Sequence, residues 1–211
     1  MRLPLFPLNA VLFPGGTLPL RVFEARYMDM VRDCLRDVSQ FGVCLITRGH
    51  ETGRPAQYEA IGCMASIAAW DMPQLGLLHI RAVGTQRFRV RDAAAQPDGL
   101  LIGEVDAIAA DQDTELAAAH QPCAMLLSRI IDDIDSQHKD AQRAEAEDAG
   151  VLTSDLIERP YRMQSSVWVG NRLCEVLPVS LRAKQKLMEL EDACARLDIV
   201  LRFLRQHAVI Q

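Results

Sequence analysis

The pattern of apolar and polar positions in the first half of the chain predicts β-strands separated by short turns. A proline-punctuated extended segment opens the chain, a turn is expected at Pro14-Gly15-Gly16, and a short strand follows at Thr17–Val22. Longer strands are predicted in FGVCLITRG, in YEAIGCMASIAAW and GLLHIRAVGTQRFRVRD, which DMPQLG joins, and in GLLIGEVDAIAA. One helix is predicted in FEARYMDMVRDCLRD, where apolar residues recur at helical spacing. Without alternating crossover helices, this order indicates an antiparallel or mixed barrel-like sheet.

The pattern becomes helical from about residue 111. DTELAAAHQPCAMLLSRIIDDID has apolar residues at helical spacing, which predicts an amphipathic helix that is kinked at Pro122 or begins just before it. Another helix is expected around residues 164–177, and Ser180 and Asp192 are the expected N-caps of two more.

This change divides the 211 residues into a β-rich part with one helix, residues 1–110, and a helical part, residues 111–211. With 49% hydrophobic residues the chain is able to bury a substantial core. A net charge of −5 gives no general attraction to nucleic acid or to an anionic membrane. The acidic side chains concentrate at residues 132–148, which is typical of a solvated helix face or a mobile segment.

The apolar start of the chain is not expected to be an export signal or a membrane span. Pro4, Pro7 and Pro14 interrupt the run, and no small-residue cleavage site follows it. The six cysteines form no C-x-x-C pair and stand among apolar neighbours, as free buried thiols do. A reduced, cytoplasmic location is therefore expected.

Sequence motifs of common catalytic sites are missing. There is no G-x-x-x-x-G-K-[ST] loop, no G-x-G-x-x-G fingerprint, no G-x-S-x-G elbow and no H-E-x-x-H helix, and the five histidines are scattered. We therefore expect no catalytic residue, no metal site and no cofactor.

Arginines alternate in RFRVR, which places Arg87, Arg89 and Arg91 on one face of a strand and Phe88 and Val90 on the other. Such a stripe contacts phosphates in some proteins, and in others it is the solvated face of a half-buried strand. The β-rich part has no net positive charge, so the second interpretation is favoured.

Apolar residues also occur where a polar hairpin turn is predicted. Trp70, Met72 and Leu75 lie in WDMPQLG. They either fold under onto the helical part, which is the favoured interpretation, or form an exposed patch that binds a partner, since tryptophan and methionine are favoured at interfaces.

The opening stretch LPLFPLNAVLFPGGTLPLRVFEARY contains L-P-L-F-P-L, F-P-G, L-P-L and F-E-x-R-Y in succession. It closely resembles the start of the N-terminal domain of ATP-dependent Lon proteases. FGVCLI, YEAIGCMASI and VGTQRFRV resemble the strands that follow in that family. VLPVSLRAKQKLMELEDACARLDIVLRFL resembles its helical tail, so the resemblance extends over nearly the whole chain in the same order.

The resemblance implies an α+β fold, in which a six-stranded, PUA-like mixed β pseudo-barrel precedes a C-terminal helical bundle. Glu24 and Arg26 are expected to cap or pair at a helix start. Five other motif residues are expected in the core: Phe13, Leu18, Leu20, Phe23 and Tyr27.

The resemblance also implies a non-enzymatic module that recognises unfolded or partly folded polypeptides or a protein partner. It points to the stand-alone bacterial relatives of this domain, without the ATPase and Ser-Lys peptidase of Lon; cereblon carries a similar domain. Trp70, Met72 and Leu75 are the expected binding surface. The alternative is an RNA-binding module that uses Arg87, Arg89 and Arg91, although nucleic acid is the less expected partner. No membrane is implied, and a homodimer is a possible assembly.

Overall fold

The computed structural model describes residues 1–144, 157 and 159–210. The strands in this part are β1 (Arg2–Leu8), β2 (Thr17–Val22), β3 (Phe41–Arg48), β4 (Gln57–Tyr58), β5 (Ile61–Gln74), β6 (Leu77–Ala95) and β7 (Leu101–Ala107). The helices are α1 (Ala25–Asp37), α2 (Gln121–Ala144), α3 (Ser166–Val176), α4 (Leu181–Glu189) and α5 (Ala193–Gln206). The expected α+β fold, a mixed β pseudo-barrel followed by helices, is confirmed. The two-residue β4 is one strand more than expected.

The barrel is closed by a single parallel pair of strands. The order β1-β7-β6-β5-β3 is antiparallel throughout, and β1 then pairs with β3 in parallel through residues 5–8 and 42–45. The long strand β6 pairs with β5 and β7, and its first half also pairs with β2. Register shifts along β6 give it the local bends that a tightly curved sheet needs.

The barrel interior is filled around Phe88, which is fully buried. A Cβ at Gly42 or at Gly62 would overlap the Phe88 ring, so the ring is accommodated only because both strands carry glycine there. A second cluster lies between the barrel and α1, which contributes Tyr27 and Val31. These two clusters explain the apolar alternation of the strands.

Four of the five residues of the opening motif that were expected in the core are buried or half-buried there. Phe13 and Tyr27 are buried, and Leu18 and Leu20 pack half-buried against the α1 cluster. The prediction for Phe23 was wrong, because this side chain is 58% exposed. It follows the buried Val22 at the end of β2, where strand alternation turns it outward.

Glu24 and Arg26 pair at the start of α1. Their side chains are 3.0 Å apart, and Glu24 makes no side-chain capping hydrogen bond. The guanidinium of the buried Arg26 also donates to the carbonyl of Gly99 at 3.1 Å and lies over the ring of Tyr27. Arg26, which also pairs with Glu24, therefore links the start of α1 to the loop that follows β6.

The helical part begins as the sequence predicts. Helix α2 starts at Gln121, so Pro122 lies in its first turn, where no hydrogen bond is lost. Ser180 accepts from the backbone of Ala183, and Asp192 caps α5 in the same way, which confirms both N-caps. Of the acidic segment 132–148, the part up to residue 144 belongs to α2, and residues 145–148 lie outside the described residues.

The two parts are joined at the Pro14-Gly15-Gly16 turn. Arg172 of α3 donates to the carbonyls of Pro14, at 2.9 Å, and Gly15. A Cβ at Gly16 would overlap the carboxylate of Glu175, which pairs with Arg172 at 3.0 Å. The preceding residue, Phe13, is buried in the helical core. The most recognisable stretch of the sequence is therefore the joint between barrel and helices.

Candidate functional site

The candidate site is the tip of the hairpin formed by β5 and β6. The predicted turn was too long, because Asp71 and the residues up to Gln74 continue β5, and Gln74 pairs with Leu77. Only Leu75 and Gly76 remain in the turn, where Gly76 has φ +84°, a conformation that glycine adopts without strain.

The three predicted binding residues are all exposed on this tip. Trp70 is 55% exposed, Met72 42% and Leu75 98%. The favoured interpretation, that they fold under onto the helical part, was wrong: that part covers β6 farther along, at Arg87. We call Trp70, Met72 and Leu75 the hairpin patch.

Trp70 is exposed because of its place in the sheet. It lies directly opposite Ile80 of β6, so the two side chains share a face. Ile80 is fully buried in the cluster that α1 completes, and it is flanked on its other side by Leu20 of β2. Trp70 is one strand farther out, where among the described strands only β6 pairs with this stretch of β5. Trp70 is thus an apolar continuation of the core.

The structure does not form the three-arginine stripe. Arg87 is 2% exposed and donates to the backbone carbonyls of Met188, at 3.1 Å, and Leu190. It also pairs with Asp111, which Arg196 of α5 approaches to 2.8 Å from the other side. Burial lowers the pKa of Arg87, and Asp111 opposes that shift. Arg87 therefore connects barrel and helices and is not available for phosphates.

The other two arginines remain at the surface. Arg89 is exposed, and Arg91 pairs with Asp106 of the neighbouring strand β7 at 3.0 Å. The helical part covers Arg87 and leaves Arg89 and Arg91 in solvent. Strand alternation alone therefore does not predict that Arg87 is buried.

A second apolar surface was not anticipated from the sequence. A groove of about 650 Å³ lies between α4 and α5. Its walls include Leu177, Val179, Leu187, Leu190, Ile199 and Phe203. The Lys186–Glu189 ion pair, 2.7 Å long, lies at its edge. The sequence contains one indication of this groove: the apolar residues Ile199 and Phe203 lie one turn apart on α5, beside the stripe of that helix that faces the core.

The buried cysteines are packing residues. Burial raises the pKa of the Cys123 thiol to about 11 and those of Cys63 and Cys174 to about 12, so these thiols stay protonated and unreactive. All six cysteines are free. Within the described residues, no three histidine, cysteine or carboxylate side chains are grouped so that they could hold a metal ion.

Helix length and composition also bear on membrane association. In the described part of the chain, no helix combines the length and the apolar character needed to cross a lipid bilayer.

Comparisons with known proteins find one family along the chain. The family model described as the ATP-dependent protease La (LON) substrate-binding domain matches residues 2–206. A Lon N-terminal domain protein from Xanthomonas campestris, known from a crystal structure, is 36% identical to this chain, with a TM-score of 0.73. The match covers 96% of this chain and 98% of that protein's chain. The N-terminal domain of a Mycobacterium avium complex Lon protease shares the fold, with a TM-score of 0.59 and 15% identity. This match covers 98% of this chain and 100% of that domain's chain.

Longer curated proteins match as well. Lon protease 2 of Myxococcus xanthus is 26% identical over 215 residues, 97% of this chain. Cereblon of Danio rerio is 36% identical over 103 residues, 47% of this chain. The chain matches 23% of the length of each of these two relatives.

Proposed function

Because the chain belongs to the family of Lon substrate-binding domains, we propose that it is a binding module for unfolded or partly folded polypeptides, which it contacts through the hairpin patch. The observation that carries this proposal is the exposure of Trp70, Met72 and Leu75 together at one hairpin tip. Large apolar side chains grouped at a surface are typical of protein-binding sites.

The patch suits a ligand of variable sequence. Tryptophan offers a broad, stiff apolar surface and methionine an adaptable one, so different apolar side chains are able to pack against them. Covering such a side chain contributes about 2 kcal/mol at about 25 cal/mol per Å² of buried surface, and association costs offset part of this. We expect modest affinity, which allows a substrate to be released after capture.

The module is proposed to act without catalysis of its own and in the cytoplasm. The family match is to a substrate-binding domain, which supports a role in binding for the matched residues. Six free cysteines fit a reducing compartment.

Replacement of Trp70 and Leu75 by serine tests the proposal. We expect the double variant to bind a fluorescently labelled, permanently unfolded (reduced and carboxymethylated) protein about tenfold more weakly or worse, because the lost apolar contacts exceed about 1.4 kcal/mol. The melting temperature should stay within about 2 °C, since exposed side chains contribute little to stability.

Phe23→Ser is the matched control, because Phe23 is as exposed as Trp70 but lies outside the patch. It should leave the affinity unchanged. Full affinity in the double variant, or an equal loss in the control, would contradict the patch as the binding surface. A structured RNA is titrated in parallel at low and high salt. Binding of that RNA that weakens steeply with salt and is lost on Arg89→Ala and Arg91→Ala would favour the RNA-binding alternative.

A further inference from the structure

We propose that the free edge of β5 captures its ligand by β-strand addition: an extended polypeptide segment with apolar residues at alternate positions pairs with residues 66–71. This inference rests on the polypeptide binding proposed above and specifies how the ligand is held. Its basis is the juxtaposition of an unpaired sheet edge and the hairpin patch on one strand.

The β3–β5 ladder ends before the hairpin does. β5 pairs with β3 through Cys63 and Ala65, opposite Val43 and Phe41. Beyond Ala65 it continues to Gln74 with β6 as its only partner among the described strands. Residues 66–71 therefore present one row of backbone N–H and C=O groups that no described strand meets. Each such group retains the capacity for a hydrogen bond.

The face beside this edge is apolar. Ile67 lies opposite Ala82, and Trp70 opposite Ile80, so both side chains point to the face where the core cluster continues. Ala82 and Ile80 are fully buried, whereas Trp70 is largely exposed because no described strand lies beyond β5. An added strand with apolar residues at alternate positions would cover Ile67 and Trp70 and extend the core by one strand.

The edge has only one of the charges by which sheet proteins usually prevent strand addition. Lysines, prolines, bulges and short length are the common devices. Asp71 is the single charged residue in β5. Pro73 and a register shift between Asp71 and Gln74 limit the ladder on the hairpin side, and a shift at Ala68 interrupts it once. A short segment of roughly five or six residues therefore fits, and a long one does not.

An unfolded polypeptide is the occupant that matches these features. A strand added here would continue the line of β3, whose ladder with β5 stops at Ala65, so the guest prolongs an existing pairing within the sheet. Main-chain hydrogen bonds do not depend on the guest sequence, and alternate apolar side chains meet the patch. Folded proteins already pair their backbone N–H and C=O groups internally, whereas unfolded chains expose them. The site therefore selects unfolded chains.

The test uses three versions of one short peptide that alternates valine with threonine and carries a lysine at each end. One version is unmodified, the second is N-methylated on alternate residues, and the third on the intervening residues. Strand addition uses the N–H groups of every second guest residue, so we expect one methylated peptide to bind about tenfold more weakly or worse and the other to bind like the parent. The protein itself is unchanged, so its folding does not affect the comparison.

Hydrogen exchange of the intact protein locates the guest. Saturating unmodified peptide should slow amide exchange within residues 66–71, and exchange on Phe23 and its neighbours should stay unchanged. If the peptide and the unfolded protein both fail to bind, the proposed function is wrong. If both methylated peptides bind like the parent, polypeptide binding stands and strand addition is overturned. Slow exchange of the edge-facing amides of residues 66–71 without peptide, together with concentration-dependent dimerisation, would show that a second copy occupies the edge instead.

Discussion

Glu175 is the residue whose protonation couples most directly to the joint between barrel and helices. Burial raises the pKa of its carboxyl from 4.5 to about 7, while the charges of Arg172 and Lys184 and a hydrogen bond with the backbone of Phe13 oppose the shift. The folded protein thus holds this proton more tightly than the unfolded chain does. The group therefore lowers the free energy of unfolding progressively as the pH rises from about 4.5 to about 7, and no further above that.

Glu175→Gln removes this titration, so the stability difference between variant and parent should change with pH. We expect the free energy of unfolding of the variant, relative to the parent, to rise by about 2–3 kcal/mol between pH 5 and pH 8, since each unit of pKa shift corresponds to about 1.4 kcal/mol. Urea denaturation at several pH values measures this. Glu191→Gln, which removes a carboxyl at an exposed position, is the control for the loss of one charge. A pH-independent difference for Glu175→Gln would contradict the raised pKa.

At the scale of elements, α1 ends in an unusual way. Val38, its C-cap, has φ +49° and is 93% exposed, and its N–H bonds to the carbonyl of Cys34. Helices commonly end in this left-handed conformation, but glycine is the usual residue, because a Cβ is crowded there and a β-branched side chain more so. The conformation persists because Ser39 also donates to Cys34, at 3.0 Å, and Phe41 must enter β3 directly afterwards.

Val38→Gly should therefore stabilise the protein. Relief of the left-handed strain outweighs the greater flexibility of glycine in the unfolded chain, and we expect a gain of about 1 kcal/mol in the free energy of unfolding. Urea denaturation is again the measurement. Val209→Gly changes another exposed valine, one that does not have positive φ, and should be neutral or slightly destabilising. A loss of stability in Val38→Gly would mean that the side chain makes a favourable contact that its exposure does not reveal.

At the scale of the whole molecule, barrel and helices share interior contacts at several separate points. Phe13 enters the helical core, and Arg172 holds the turn that follows it. Arg87 and Arg196 approach Asp111 from the two sides, and Gln185 of α4 donates to the carbonyl of Ile61 at 2.9 Å. We propose that residues 1–110 and 111–211 are two structural parts of one cooperative folding unit.

The two tryptophans allow this to be measured, because Trp70 lies in the barrel part and Trp168 in α3. The variants Trp168→Phe and Trp70→Phe each leave one fluorescent reporter. Circular dichroism gives the melting temperature of each variant and so the change that each substitution causes. After correction for this change, we expect both reporters to show the same thermal midpoint within about 2 °C. Two separate transitions would show that the parts unfold independently.

The order of elements was predictable because the signals for it are local. Helical spacing predicts α1, and side chains next to the backbone groups they bond specify the caps at Ser180 and Asp192. The turn at Pro14-Gly15-Gly16 and the hairpin turn follow from the conformations of their own residues. The length of the hairpin was less predictable, because Asp71 and Pro73 are poor strand residues that pairing with β6 nevertheless retains in β5.

By itself, then, the sequence determined the order of the main elements and the family pattern, and it located three apolar residues near the hairpin turn. Only the tertiary structure decided which predicted faces are covered. Arg87 is buried and Phe23 exposed, opposite to expectation, because alternation specifies which residues share a face but not what packs on it. The partners of Arg87 at Met188 and Leu190 lie about a hundred residues away along the chain. The exposure of Trp70 and the free edge of β5 likewise depend on where β3 begins, since its first residue, Phe41, pairs with Ala65 and no described strand pairs with β5 on that side beyond it.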